Sequence, residues 1–418
     1  MIGAMTDAPV RLPQAVLSEH RFAVPLDHAQ PDGEQLTVFA REVAAPDGGD
    51  RPYLLFLQGG PGGEASRPVP ATGTPAWLDR ALRDYRVLLL DQRGTGLSSP
   101  IGGPAPGSTP QEQADHLALF RADSIVADCE LVRERLGVQQ WSLLGQSFGG
   151  FCALRYLSVA PHALREVYVT GGIPPLATPP DDIYAVTWQR MAERNEAYYT
   201  RYPGDRDRVR ELLALAEDGR LTLHHGEPVS ARRLRSIGGA LGMSDGAETV
   251  HHLVERPPGS AAFRYDLATT LAFSGRSPLY ALLNEPCYAD GIATSWSALR
   301  TMPEEFREDQ TLLFGEHVFP WTFEDDAELA PWAAAADLLA TREWPTLYDA
   351  DVLRATQVPC AAAVYAHDPY VTRGFSEQTA ALLPRMRTWV TDSHDHNALR
   401  ADGATVLDRL IGMVRELR

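Results

Sequence analysis

The sequence predicts an α/β protein, a mostly parallel, doubly wound sheet interrupted by a helical insertion, on three observations. Short apolar runs closed by glycine recur in its first and last parts, alternating with segments of helical periodicity. Between about residues 175 and 348 such runs become few and helical periodicity dominates. A Gly-x-Ser-x-Gly sequence stands at one strand-to-helix junction. Continuous apolar runs suit parallel strands covered by helices on both faces.

In chain order, residues 36–43 and 53–57 read as strands, the second leading into Gln58-Gly59-Gly60-Pro61-Gly62-Gly63. Residues 86–90 form the next, leading into Asp91-Gln92-Arg93-Gly94-Thr95-Gly96-Leu97-Ser98, and 101–113 read as a flexible surface loop. Residues 124–136 carry Ile125, Cys129, Val132 and Leu136, the stripe of an amphipathic helix. A strand over 141–144 enters Gly145-Gln146-Ser147-Phe148-Gly149, a helix follows over 151–157, and 165–170 is a strand closed by Gly171-Gly172. Proline-rich residues 173–180 mark the change of character; helices are expected over 187–199, 207–218 and 331–340, the last with a tolerated proline at its start. The sheet pattern resumes at 358–365 and continues with a helix over 376–383, a strand over 386–390 and a closing helix over 403–417. The expected organisation is a core over 1–174, a helical cap over 175–348 and the rest of the core over 349–418.

At 418 residues the chain exceeds one compact core. A net charge of −17 argues against nucleic acid as a partner. Cys129, Cys152, Cys287 and Cys360 are scattered, with no Cys-x-x-Cys, so neither a disulfide framework nor a metal site is expected, and no cofactor is implied. The first residues lack the basic and apolar regions of a secretory signal, and no apolar run reaches the roughly 20 residues that span a bilayer. A reduced, cytoplasmic protein without membrane contact is expected, with monomer and dimer both compatible.

The chemistry centres on Ser147. Strand, Gly-x-Ser-x-Gly and helix are the context of a nucleophile elbow, whose serine is held in a sparsely populated backbone region. A serine hydroxyl needs a base to take its proton, and the base needs an orienting acid; in α/β hydrolases these follow in the order Ser, Asp or Glu, His. Asp368, after the late strand 358–365, suits the acid better than Asp351, which precedes it. The base belongs in the loop after 386–390, where His394 and His396 compete. Two backbone N–H donors complete an oxyanion hole: that of Phe148, and one from the glycine loop, Gly60 with Gly59 as the alternative. A serine hydrolase of α/β-hydrolase fold follows.

Gly-Gly-Pro-Gly, then Asp91 to Ser98, then Gly-Gln-Ser-Phe-Gly-Gly together resemble the proline iminopeptidases (prolyl aminopeptidases), serine peptidases that remove N-terminal proline. Many members carry His where this chain has Gln58. The longer bacterial members look closer, with Gln-Gly-Gly-Pro-Gly and a C-terminal Glu-His-Asn-x-Leu-Arg similar to Asp395-His396-Asn397-Ala398-Leu399-Arg400, which selects His396 as base. Residues 280–288 and 315–321 are similar to segments of that group. The resemblance implies that cap glutamates, here Glu285 and Glu316, hold the substrate's α-ammonium, so that only a free N-terminus fits. Phe148, Tyr288, Phe319 and Trp321 are candidates for a slot around a pyrrolidine ring, and Asp91 and Arg93 for bracing the loop beside the oxyanion hole. The expected substrate is a peptide or aminoacyl compound with a free N-terminus. Activity is expected to fall below about pH 6.5 as His396 protonates and above about pH 8 as substrate amines deprotonate. The alternatives are a carboxylesterase or other acyl hydrolase with the same triad, a peptidase releasing di- or tripeptides, and an inactive hydrolase-fold binding protein.

Overall fold

The computed structural model describes residues 5–6 and 8–417; the reading of the N-terminus lies partly outside them. Ten strands form one sheet: β1 (Met5–Thr6), β2 (Val10–Arg11), β3 (Val16–Pro25), β4 (Gln35–Ala44), β5 (Tyr53–Leu57), β6 (Arg86–Leu90), β7 (Trp141–Gln146), β8 (Leu164–Thr170), β9 (Cys360–Tyr365) and β10 (Met386–Thr391). The spatial order is β1-β3-β4-β6-β5-β7-β8-β9-β10, with β2 also paired to β3. From β6 to β10 every pairing is parallel, and β4 joins β6 antiparallel. β5, β7 and β9 are almost wholly buried, as their apolar composition requires.

The chain leaves β5 towards β6 on one side and returns to β7 on the other. Ligands in open α/β sheets bind beyond the carboxyl ends of the strands at such a reversal. The glycine loop follows β5 and Ser147 follows β7, so both sequence motifs emerge at that point.

Helices Ala122–Arg135 and Phe148–Val159 pack on one face of the sheet, and Leu78–Ala81 and Gly403–Arg415 on the other. Between β8 and β9 the described residues add no strand to the sheet. The inserted helices, among them Pro180–Arg201, Asp205–Glu217 and Gly246–Val254, bury Trp188, Met191, Val209 and Phe306 in a core of their own. Its later part does not stand apart: Phe273, Leu279, Val318 and Trp332 join the core on the Phe148–Val159 face.

Four local expectations need correction. Residues 101–113 are not all loop: helix Pro110–Leu117 begins there, because Thr109 and Glu112 make a reciprocal capping box with proline at the first helical position. The helix expected from 187 starts at Pro180, with Asp181 and Asp182 in its first turn favoured by the helix dipole. Pro331 lies in the 3-10 turn Ala330–Trp332, and the α-helix proper is Ala333–Thr341. The helix expected over 376–383 spans Arg373–Ala380. Strand β3 went unread because Glu19, His20 and Arg21 interrupt its apolar pattern. In the sheet these polar side chains find partners across the strands, Glu19 pairing with Arg41 at 2.7 Å and His20 Nε2 lying 3.1 Å from Glu42.

Arg93 and Asp91 divide the bracing work. Asp91, fully buried, accepts hydrogen bonds from the Ala65 and Leu97 N–H groups and pairs with Arg67 at 2.8 Å, holding the chain just beyond the glycine loop. Arg93 turns the other way. It grips Asp128 through Nε and Nη2, at 2.7 and 2.6 Å, and donates to the carbonyls of Pro25, Leu26 and Leu119. Removing it leaves buried Asp128 with only His28, whose Nε2 lies 2.9 Å from Oδ1, in place of a two-point guanidinium contact. We expect Arg93→Ala to lose about 3–5 kcal/mol of stability in urea unfolding, with no rescue by lysine, which lacks the planar fork. A loss within about 0.5 kcal/mol, the range of ordinary surface substitutions, would show that this pair does not hold the fold.

Candidate active site

Ser147 sits at φ +52°, ψ −123°, between β7 and helix Phe148–Val159. The surroundings leave it no other place. A Cβ on Gly149 would collide with the Leu57 carbonyl, and one on Gly145 with the Gly149 carbonyl, so β5, β7 and the helix meet through bare backbone. The Ser147 N–H donates to the Thr170 carbonyl at 2.9 Å, and its own carbonyl accepts from the Gly150 N–H at 2.7 Å. Phe148 is the first helical residue, so its N–H has no partner within the helix and lies at the positive end of the helix dipole.

The serine hydroxyl lies 2.9 Å from His396 Nε2, and His396 Nδ1 lies 2.7 Å from an Asp368 carboxylate oxygen, Oδ2. All three residues are buried. Asp368 is held from its other side, where Oδ1 accepts the N–H groups of Tyr370 at 2.9 Å and Val371 at 3.1 Å. With the Nδ1 proton directed at Asp368, Nε2 is left as a hydrogen-bond acceptor facing the serine hydroxyl. His394, the competing histidine, turns away: its Nε2 meets Asp402 at 3.3 Å and its ring abuts Trp389.

Glu316 borders a small cavity also lined by Tyr184, Tyr288, His317 and Tyr370. Burial pushes its carboxyl above the ordinary 4.5, only partly offset by His396 and by a hydrogen bond from the Tyr280 hydroxyl. Burial would depress the His396 imidazolium, but the charge and hydrogen bond of Asp368, aided by Glu316 and Asp395, outweigh it and hold its pKa above the ordinary 6.5. A higher pH than for an unperturbed histidine is therefore needed to free this imidazole of its second proton.

The structure does not bring every candidate to this place. Glu285 lies outside the lining of the Glu316 cavity; its two oxygens accept the Ser297 and Ala298 N–H groups at 3.2 and 2.8 Å, capping helix Ser297–Arg300. Burial pushes that carboxyl up to about 7. Trp321 stacks on Phe319 at 4.2 Å, beneath Arg232, and both rings line a different cavity of the inserted block. Their apolar character marks them as candidates for a slot, but both stand outside the lining of the Glu316 cavity. Of the four aromatics, Tyr288 borders the Glu316 cavity and reaches Phe148 through Phe151. Gly59 packs against Ser147, where an added Cβ would come within 2.9 Å of the serine Cβ, and its N–H is taken by Gln58 Oε1 at 3.1 Å. Gly60 follows at φ +131°.

Tyr280, Tyr184 and Tyr370 were missed. Tyr280 stands at the start of the 280–288 segment already singled out, and Tyr370 two residues beyond Asp368, but a tyrosine at either place carries no signal of its own. Among the described residues, His251, His252 and Glu255 bring potential metal-ligand atoms within 4.8 Å of one another, and none of them belongs to the serine site.

Fold and serine site together define an α/β hydrolase, and residues 52–238 match the family model described as the alpha/beta hydrolase fold. The chain is 42% identical over 412 residues to a proline iminopeptidase of Aeromonas sobria, covering 95% of this chain and 96% of that one. It is 34% identical over 420 residues to a proline iminopeptidase of Aspergillus aculeatus, covering 95% and 93%. A probable proline iminopeptidase of Streptomyces coelicolor is 33% identical over 148 residues, covering 35% and 40%. The chain belongs to the proline iminopeptidase family.

Because Glu316 helps keep His396 protonated, Glu316→Gln should lower the pKa of the His396 imidazole, read directly by NMR titration of the ring. Asp368→Asn should lower it as well. An unchanged or raised value in Glu316→Gln would break the electrostatic link between the two residues.

Proposed function

We propose that this protein is a serine aminopeptidase releasing the N-terminal residue of peptides, proline by preference, through an acyl-enzyme. One observation carries the reading. A Ser147–His396–Asp368 relay with hydrogen-bond distances of 2.9 and 2.7 Å stands within electrostatic reach of the half-buried Glu316 and its carboxyl. A carboxyl raised by burial gains most from a cation docked beside it, and a protonated N-terminal amine supplies one. Family membership supports the same substrate.

In this reading His396, oriented by Asp368, takes the Ser147 proton as Oγ attacks the carbonyl of the first residue. The oxyanion rests on the N–H of Phe148 and, with the Gly59 N–H already engaged, on that of Gly60. The intermediate collapses as His396 returns the proton to the leaving nitrogen, releasing the shortened peptide. Water then attacks the acyl ester, His396 taking its proton, and the free amino acid leaves with Ser147 regenerated. Glu316 anchors the ammonium at a fixed depth, so internal peptide bonds do not reach the serine. Glu285 acts one layer back, as a helix cap. The four cysteines are buried and free, which fits a reducing compartment, and a cytoplasmic location is part of the proposal. No helix among the described residues is long and apolar enough to cross a membrane.

The test is a panel of prolyl, alanyl and N-acetylprolyl naphthylamides. Wild type should cleave the prolyl compound best and leave the acetylated one intact. Ser147→Ala should lose about 10⁴-fold or more in kcat. Glu316→Gln should lose on the order of 10²-fold in kcat/KM on free-amine substrates, the range for removing one partner of a buried charge pair. Equal turnover of blocked and free substrates would favour an esterase-like acyl hydrolase instead.

A further inference from the structure

A second void opens beside Gln146 and His396, the chain neighbour and the hydrogen-bond partner of the serine. A cleft of about 530 Å³ opens between residues 72–77, the elbow residue Gln146 and the loop carrying His396, with Met243 of the inserted block in its wall. It shares no lining residue with the Glu316 cavity. Tyr370 separates them: it borders the Glu316 cavity and sets its ring edge-on against His396 at 5.0 Å, whereas His396 itself lines the cleft.

We propose that this cleft is the seat of the departing peptide, binding the main chain of the first few residues beyond the scissile bond. The inference rests on the aminopeptidase reading. If the first residue is anchored at Glu316, the nitrogen that His396 protonates lies on the imidazole side of the serine, where the chain must continue into open space. The cleft is of a size for a small ligand. Gln58 and Gln146 bring side-chain amides, which pair with either a peptide N–H or a peptide carbonyl, and Trp77 and Met243 add apolar wall. Met243 is held over the cleft by its neighbour, since the Ser244 N–H donates to Asn397 Oδ1 at 2.8 Å. At the rim Arg400 is already paired with Asp245 at 3.3 Å. The site therefore reads main chain rather than a terminal carboxylate, and accepts diverse sequences.

The experiment compares prolinamide, whose leaving group is ammonia, with Pro-Gly, Pro-Gly-Gly and Pro-Gly-Gly-Gly, each as free acid and C-terminal amide. For wild type, kcat/KM should rise about tenfold or more along the series and then level off, with acid and amide nearly equal. Met243→Trp, checked for folding by its thermal melt, should shrink the ratio between Pro-Gly-Gly and prolinamide. Activity independent of leaving-group length, or a Met243→Trp effect identical on both substrates, overturns the subsite and leaves the aminopeptidase reading standing. Failure to cleave any prolyl compound sinks that reading first, and the subsite with it.

Discussion

Backbone-to-backbone contact at the elbow is the constraint on which the other features depend. Gly149 lies against the Leu57 carbonyl, Gly145 against Gly149, and Gly172 against Ser147, each without room for a side chain. The positive φ of Ser147 costs about 1–3 kcal/mol, and it persists because hydrogen bonds to Thr170 and from Gly150 allow no relaxation. The same contacts set the glycine loop, since the end of β5 that touches Gly149 leads directly into Gly59, which touches Ser147. Nucleophile and prospective oxyanion donors are thus one rigid unit at the reversal of strand order, and only the histidine and the acid arrive from a distance.

That unit feeds a small buried electrostatic system. Asp368 serves two geometries at once, an Asx-type turn through Oδ1 and the histidine contact through Oδ2. The turn contacts supply partners for the oxygen the histidine does not use, so the carboxylate is satisfied in a site without water-like screening. Glu316 acts on His396 by charge alone, and in the direction that makes the base stronger. A cation docked at Glu316 would cancel part of that influence. The charge at Glu316 and the basicity of His396 are therefore coupled through one carboxyl.

Those parts of the molecule that depend on local pattern were legible in the sequence. β5, β6, β7 and β9 declare themselves because strands buried on both faces admit little but apolar residues, and Ser147 because a forced turn needs its glycines. His394 and His396 shared one loop, and local pattern gave no reason to prefer either. Resemblance selected His396, and the fold sets its imidazole against Ser147 while His394 faces Asp402. What escaped depends on partners remote in sequence. The charges of β3 make sense only beside Arg41 and Glu42, and Glu285 is a helix cap only because residues 297–298 return to it. The placing of Trp321 at a cavity other than that of Glu316 escaped for a similar reason, an aromatic in a helical block being as well suited to packing as to ligand contact.

The inserted block does more than cover the serine. Arg194 donates to the His367 carbonyl at 3.1 Å and pairs with Asp395, so one guanidinium spans the residues just before the acid and just before the base. The Tyr370 hydroxyl accepts the Gly242 N–H at 3.0 Å and donates to the Gly239 carbonyl at 2.6 Å, while the Tyr370 N–H holds Asp368. The Gly242 carbonyl in turn accepts the His396 N–H at 3.1 Å. Acid loop and base loop are therefore fastened to each other through the block as well as through the imidazole–carboxylate contact. Both loops emerge from β9 and β10, the last strands at that edge of the sheet, and have the farthest to reach. Asp368 and His396 are thus tied to the inserted block as well as to the sheet, whereas Ser147 is held by the sheet and by the glycines packed against it.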